Sequence, residues 1–131
     1  MLKGLNELSK KIHKNNCEKG FYDKKRELGT ILMLVVSEVS EALEADRKGR
    51  YADLKAYIEC QKANDIHASD MPAYLVSSFR DLMKDTFEDE IADTFIRLFD
   101  LCGHMNIDIE AHIKHKIEFN KKREHMHGKA Y

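Results

Sequence analysis

Apolar residues recur at intervals of three and four along most of this chain, the spacing that lines one face of an α-helix. Leu5, Leu8 and Ile12 predict a first helix over about residues 2–17, with Gly20 as its stop. Leu28, Leu32, Val35, Val39 and Leu43 form the stripe of a second helix over 24–48, and Gly49 marks its end. Leu54, Tyr57 and Ile58 mark a shorter helix over about 51–63. Residues 64–72 read as a loop, with Asp70 and Pro72 as the cap and first position of a helix carrying Leu75, Val76, Phe79, Leu82 and Met83. Asp85 and Glu88 have the spacing of a capping box. The helix they open runs to about residue 104 with Phe87, Ile91, Phe95, Leu98 and Cys102 on one stripe. A turn at 106–108 precedes a last helix over 109–124, and 127–131 read as irregular. No segment alternates as a strand does. The expected fold is all-α, a single domain over 1–131.

Two further stripes carry acids where apolar residues would be ordinary. On the second helix, Ile31, Leu34, Glu38, Glu41 and Ala45 follow one seam, apolar at both ends and acidic in the middle. That placement predicts half-buried carboxylates. The helix after Asp85 repeats it with Thr86, Glu90, Asp93, Arg97 and Asp100. Residues three apart on a helix sit roughly 5–6 Å apart on one face, so each acid pair can converge on a point. If the two seams face each other, four carboxylates share one small volume. Two like charges about 4 Å apart at an effective dielectric of about 20 repel by roughly 4 kcal/mol. Either some of the acids bind protons or a divalent cation sits among them. Oxygen-only ligands suit magnesium, with manganese a substitute. A third stripe, Lys116, Asn120 and Arg123, with His127 on its extension, suits contact with a phosphate chain through a point charge, an amide and a planar fork. A solvated basic helix end is the plainer account of the same residues.

Composition narrows the function classes. Lys plus Arg number 22 against 23 for Asp plus Glu, a net charge of −1, which provides no global basic field for nucleic acid or an anionic membrane. The longest apolar run, 31–36, is far short of a membrane span, and the first residues carry no secretory signal, so a cytoplasmic protein is expected. Cys17, Cys60 and Cys102 form no Cys-x-x-Cys pair and read as reduced thiols acting as small hydrophobes. Of the seven histidines, His112, His115, His125 and His127 crowd the polar C-terminal quarter and read as solvated.

Taken together, Ser37-Glu38-Val39-Ser40-Glu41-Ala42-Leu43-Glu44-Ala45, Glu88-Asp89-Glu90-Ile91-Ala92-Asp93 and the Lys, Asn and Arg of 116–131 before a His-Gly-Lys resemble the MazG-like, all-α nucleotide pyrophosphohydrolases. Ser37 stands where many relatives carry a third acid, and 51–83 reads as extra helical material. The resemblance implies an antiparallel four-helix-bundle fold and magnesium-dependent hydrolysis of a nucleoside or deoxynucleoside triphosphate to the monophosphate and pyrophosphate. It also implies a homo-oligomer, dimer or tetramer. Glu38, Glu41, Glu90 and Asp93 match the group's metal ligands, with Glu38 or Glu41 able to take the proton of the attacking water. Lys116, Asn120 and Arg123 match its substrate-facing residues. Phe21 and Tyr22 either pack or stack on a base, and Asp100 and His104 are candidates to orient the metal ligands. Alternatives are a phosphoribosyl-ATP pyrophosphatase and a non-catalytic helical interaction module. A di-iron carboxylate bundle fits poorly, since only Glu124 and His127 have the Glu-x-x-His spacing.

Overall fold

Glycine geometry ends the first two helices. Gly20 and Gly49 both have positive φ (83° and 64°), which a residue without Cβ adopts at little cost. Each closes a Schellman motif. Gly20 N–H donates to the Cys17 carbonyl and Phe21 N–H to that of Asn16, while Gly49 N–H donates to Asp46 and Arg50 N–H to Ala45. These stops bound α1 (Leu5–Glu18) and α2 (Leu28–Arg47), followed by α3 (Leu54–Ala63), α4 (Ala73–Leu82), α5 (Phe87–His104) and α6 (Ile109–Lys121). The computed structural model describes residues 3–63 and 73–124, and among these the chain is all-α. The Asp70 and Pro72 cap, the 64–72 loop, the 127–131 tail, His125 and His127 lie outside the described residues.

Four helix starts differ from the periodicity, the first being α1, which begins at Leu5 rather than about residue 2. α2 begins at Leu28 rather than residue 24, because Glu27 is still extended (φ −74°, ψ 138°). α3 begins at Leu54, with Asp53 Oδ1 accepting the Ala56 N–H at 2.9 Å as its cap. The cap of α5 is shifted by one residue. Thr86 Oγ1 accepts from Asp89 N–H at 3.4 Å, and Asp89 Oδ2 accepts from Asp85 N–H at 2.9 Å. Glu88, expected in that box, instead accepts the Ala52 N–H at 2.8 Å.

The chain divides into two compact units. One comprises residues 27–97, which hold α2, α3, α4 and the first three turns of α5. There α3 packs on α4, with the Tyr57 ring edge-on to Phe79 at 5.7 Å and Leu75 fully buried. These two helices lie within 51–83, where helical material is expected. The other unit comprises 1–26 and 98–131, with α1, the end of α5 and α6. Asn6 joins the starts of α1 and α6, donating through Nδ2 to Asp108 at 2.8 Å and through its N–H to Glu110 at 3.0 Å. Asp108 caps α6 by accepting the Ala111 N–H.

Gly103 sets how closely the end of α5 meets α1. A Cβ there would lie 2.5 Å from the Ser9 carbonyl oxygen and 2.7 Å from His13 Cβ. In an open helix, Gly→Ala would gain about 1 kcal/mol from propensity. Here the backbone carbonyl cannot rotate away, so Gly103→Ala is expected to destabilise by about 1–3 kcal/mol. A thermal melt that rises instead would mean the two helices can part without loss.

Candidate metal centre

Glu38 on α2 and Glu90 and Asp93 on α5 bring carboxylate oxygens within 4.8 Å of one another. All three belong to the 27–97 unit. Glu90 and Asp93 share one face of α5 by their spacing of three. Glu38 lies on the inward face of α2 with Ile31, Ala42 and Ala45. Glu38 and Glu90 are deeply buried, at 6% and 5% exposure, and Asp93 is half-buried. Glu41 is exposed and stands outside this tight group, although its charge is felt there.

The apolar stripes are not the best-buried faces of α2 and α5. Leu28, Leu32, Val39 and Leu43 on α2 and Phe95 on α5 are about half exposed, whereas the acidic seams carry the buried residues Ile31, Glu38, Ala45, Thr86 and Glu90. Hydrophobic periodicity identifies faces that prefer burial. It does not decide which of two adjacent faces this chain covers by itself.

Burying acids together has an electrostatic consequence. Desolvation, then the charge of Glu41, then a hydrogen bond and charge from Glu38, push the Glu90 carboxyl up to about 7. Asp93 is also raised, first by burial and then by the charges of Asp89 and Glu38, with Arg97 opposing. Arg97 is the cation placed inside the cluster, its Nε donating to Glu38 Oε1 at 2.5 Å. One guanidinium does not satisfy three carboxylates. The donor set is all oxygen, which suits a hard divalent ion, and a carboxyl retaining its proton near neutrality marks where positive charge is wanted.

Arg97 and Asp89 are parts of the cluster that spacing left without a role. Arg97 was visible as a lone cation on an acidic seam, four residues beyond Asp93. Asp89 also groups with Asp85 and Glu90. In that second set one oxygen of Asp89 is engaged in the α5 cap and one oxygen of exposed Asp85 pairs with Lys84 at 2.7 Å.

Lys116, Asn120 and Arg123 belong to the other unit. Lys116 and Asn120 lie on α6 and Arg123 just beyond its end. The Lys116 ammonium and Arg123 guanidinium lie 5.2 and 5.9 Å from the centre of the Phe119 ring, and both side chains are exposed. Asn120 Oδ1 is buried without a hydrogen-bond partner among the described residues. Asp100 and His104, weighed as supports for the metal ligands, are engaged within this same unit with His13 and Tyr22. Tyr22 thus packs, while Phe21 is exposed with Arg26 over its ring. Among the cysteines, Cys102 is buried as a small hydrophobe should be, but Cys17 is exposed, because it faces outward on the last turn of α1.

No helix among the described residues is long and apolar enough to cross a membrane. No family model, curated protein or solved structure matches the chain.

Proposed function

We propose that this chain is a magnesium-dependent nucleoside triphosphate pyrophosphohydrolase of the MazG-like kind, built as an antiparallel helical bundle and cytoplasmic, with clearance of unwanted nucleotides as its role. The observation that carries this reading is the convergence of Glu38, Glu90 and Asp93 around Arg97, the one cation that pairs with this cluster among the described residues. The resemblance of the two acidic motifs to that group supplies the reaction.

When bound, magnesium neutralises the triphosphate and makes a water more acidic, with manganese able to replace it. In this reading Glu38, Glu90 and Asp93 hold the ion. Glu41 completes the ligand set and, being exposed beside Glu90, is better placed than the Arg97-bound Glu38 to take the proton of the attacking water. The resemblance assigns contact with substrate phosphates to Lys116 and Arg123, with Asn120 as an amide contact.

The half-exposed stripe of Leu32, Val39, Leu43 and Phe95 supports a homo-oligomer, in which a second copy covers these faces. A strictly monomeric mass in solution would count against that. The same stripe favours a second reading, a non-catalytic module that docks a partner helix. A screen of ribo- and deoxyribonucleoside triphosphates and phosphoribosyl-ATP, with magnesium and pyrophosphate as the readout, separates the readings. Hydrolysis of at least one of these is expected, with Glu41→Gln slower by about 10–100-fold. Equal activity in the two proteins would show the acids to be wrongly assigned. No release from any substrate, together with no magnesium-dependent shift in the melt, would favour the interaction module.

A further inference from the structure

The 1–26 and 98–131 unit contains a second constellation of reactive groups. Cys17 and His13 are four residues apart on α1, one turn along the same face, and Cys17 Sγ lies 3.5 Å from His13 Nε2. On the far side of the imidazole, His13 Nδ1 lies 2.8 Å from Asp100 Oδ1. That contact assigns the tautomer. Nδ1–H donates to the carboxylate, and the Nε2 lone pair is directed at the thiol. Asp100 is itself held, accepting the Tyr22 hydroxyl through Oδ2 at 2.9 Å. Burial and the Asp100 carboxylate raise the Tyr22 pKa, so its hydroxyl remains a donor. The rings of Tyr22 and His104 flank His13 at 4.7 and 5.3 Å between centroids and limit its rotation.

A nucleophile, a base within reach of it and an acid that orients the base are the three parts of an assisted thiol. Here the base and the acid are partly buried while the sulfur is exposed. The other two cysteines differ. Cys60 is half-buried, and Cys102 is buried with its thiol pushed up by desolvation. We propose that Cys17 is a nucleophilic thiol, with His13 as its base and Asp100 as the positioning residue, which exchanges with low-molecular-weight disulfides. Sγ attacks one sulfur of RS–SR while its proton passes to His13 Nε2. The Sγ–S bond forms, the S–S bond of the reagent breaks, and the leaving RS⁻ recovers the proton from His13 as RSH. Cys17 is oxidised to a mixed disulfide and half of the reagent is reduced to a thiol, so no other oxidant is needed.

The test uses the full chain at pH 7 and bis(2-hydroxyethyl) disulfide, an uncharged probe, with acid quenching and peptide mapping to give a rate for each cysteine. Cys17 is expected to react about tenfold or more faster than Cys60, and His13→Gln to remove that advantage without changing the rate at Cys60. Asp100→Asn, which keeps shape but weakens the orientation of the base, is expected to give an intermediate rate. Protection of Cys102 reports that the unit remains folded in each variant. If His13→Gln unfolds it, the wild-type chain in denaturing urea decides, since the Cys17 to Cys60 rate ratio should fall to about one there. A folded His13→Gln chain reacting at Cys17 as fast as wild type overturns the proposal. So does a Cys17 to Cys60 ratio that is the same in buffer and in urea.

Discussion

If the chain is the proposed pyrophosphohydrolase, replacing Glu90 by Gln is expected to lower nucleotide hydrolysis on the order of 100-fold or more and, without divalent ions, to make the protein more stable at pH 8. The two effects share one cause. Glu90 sits at 5% exposure beside Glu38 and Asp93, and its carboxyl is pushed up to about 7. Above that pH the folded chain must hold an ionised carboxylate in a place that disfavours it. The penalty, from an ordinary value of 4.5 to about 7, is roughly 3 kcal/mol at about 1.4 kcal/mol per unit. Gln keeps the shape, never ionises and can donate its amide N–H to the neighbouring Glu38. Part of the gain is offset because the amide must itself be desolvated, so a net stabilisation of about 1–2 kcal/mol is expected. The melt should rise by several degrees in chelator and lose its response to magnesium. A Gln variant that is less stable than wild type in chelator at pH 8 would mean that Glu90 is a satisfied buried group and not a strained ligand.

The second large effect is on pH dependence. For Glu90 the folded-state pKa, about 7, lies above the unfolded value near 4.5. Between those values the unfolded chain has released its proton and the folded chain still holds it. Stability therefore falls as pH rises through that window and levels off above it, since ∂ΔG/∂pH carries the sign of unfolded minus folded protons bound. The raised Asp93 carboxyl acts in the same direction. Other groups also titrate, so the informative quantity is wild type minus Glu90→Gln. In metal-free buffer that difference should move against wild type by roughly 3 kcal/mol between pH 4.5 and 8.

Magnesium held at the proposed site would reverse the balance, because it would bind the ionised oxygens. At pH 6 its binding should release close to one proton per chain, and at pH 8.5 almost none. Calorimetric titrations in buffers of different ionisation enthalpy measure this number. Magnesium binding at pH 6 without proton release would place the ion elsewhere.

Much of the secondary structure was legible in the chain. Among the described residues six helices occupy the periodic segments, Gly20 and Gly49 end helices where expected, and Asp108 caps α6. These features rest on interactions within a few residues, which is why spacing alone reveals them. The cap of α5 shows the limit of that reading. Asp85 with Glu88 and Thr86 with Asp89 have the same spacing, and the choice fell on the second when Glu88 was drawn to the Ala52 N–H, 36 residues away.

The acids divide along the same line. That Glu38, Glu41, Glu90 and Asp93 lie on two seams follows from their positions modulo the helical turn, and the sequence determined it. That Glu38 meets Glu90 and Asp93 while Glu41 stays exposed, and that Arg97 donates to a carboxylate 59 residues away, was decided only by the packing of α2 and α5 within one unit. The spacing of four between His13 and Cys17 and the place of Asp100 on its seam are legible in the chain, but that His13 meets Asp100, 87 residues away, is not. Local periodicity specifies which residues share a helix face. Which faces meet, and so which charges must be neutralised together, depends on contacts between distant segments whose energies no short window contains.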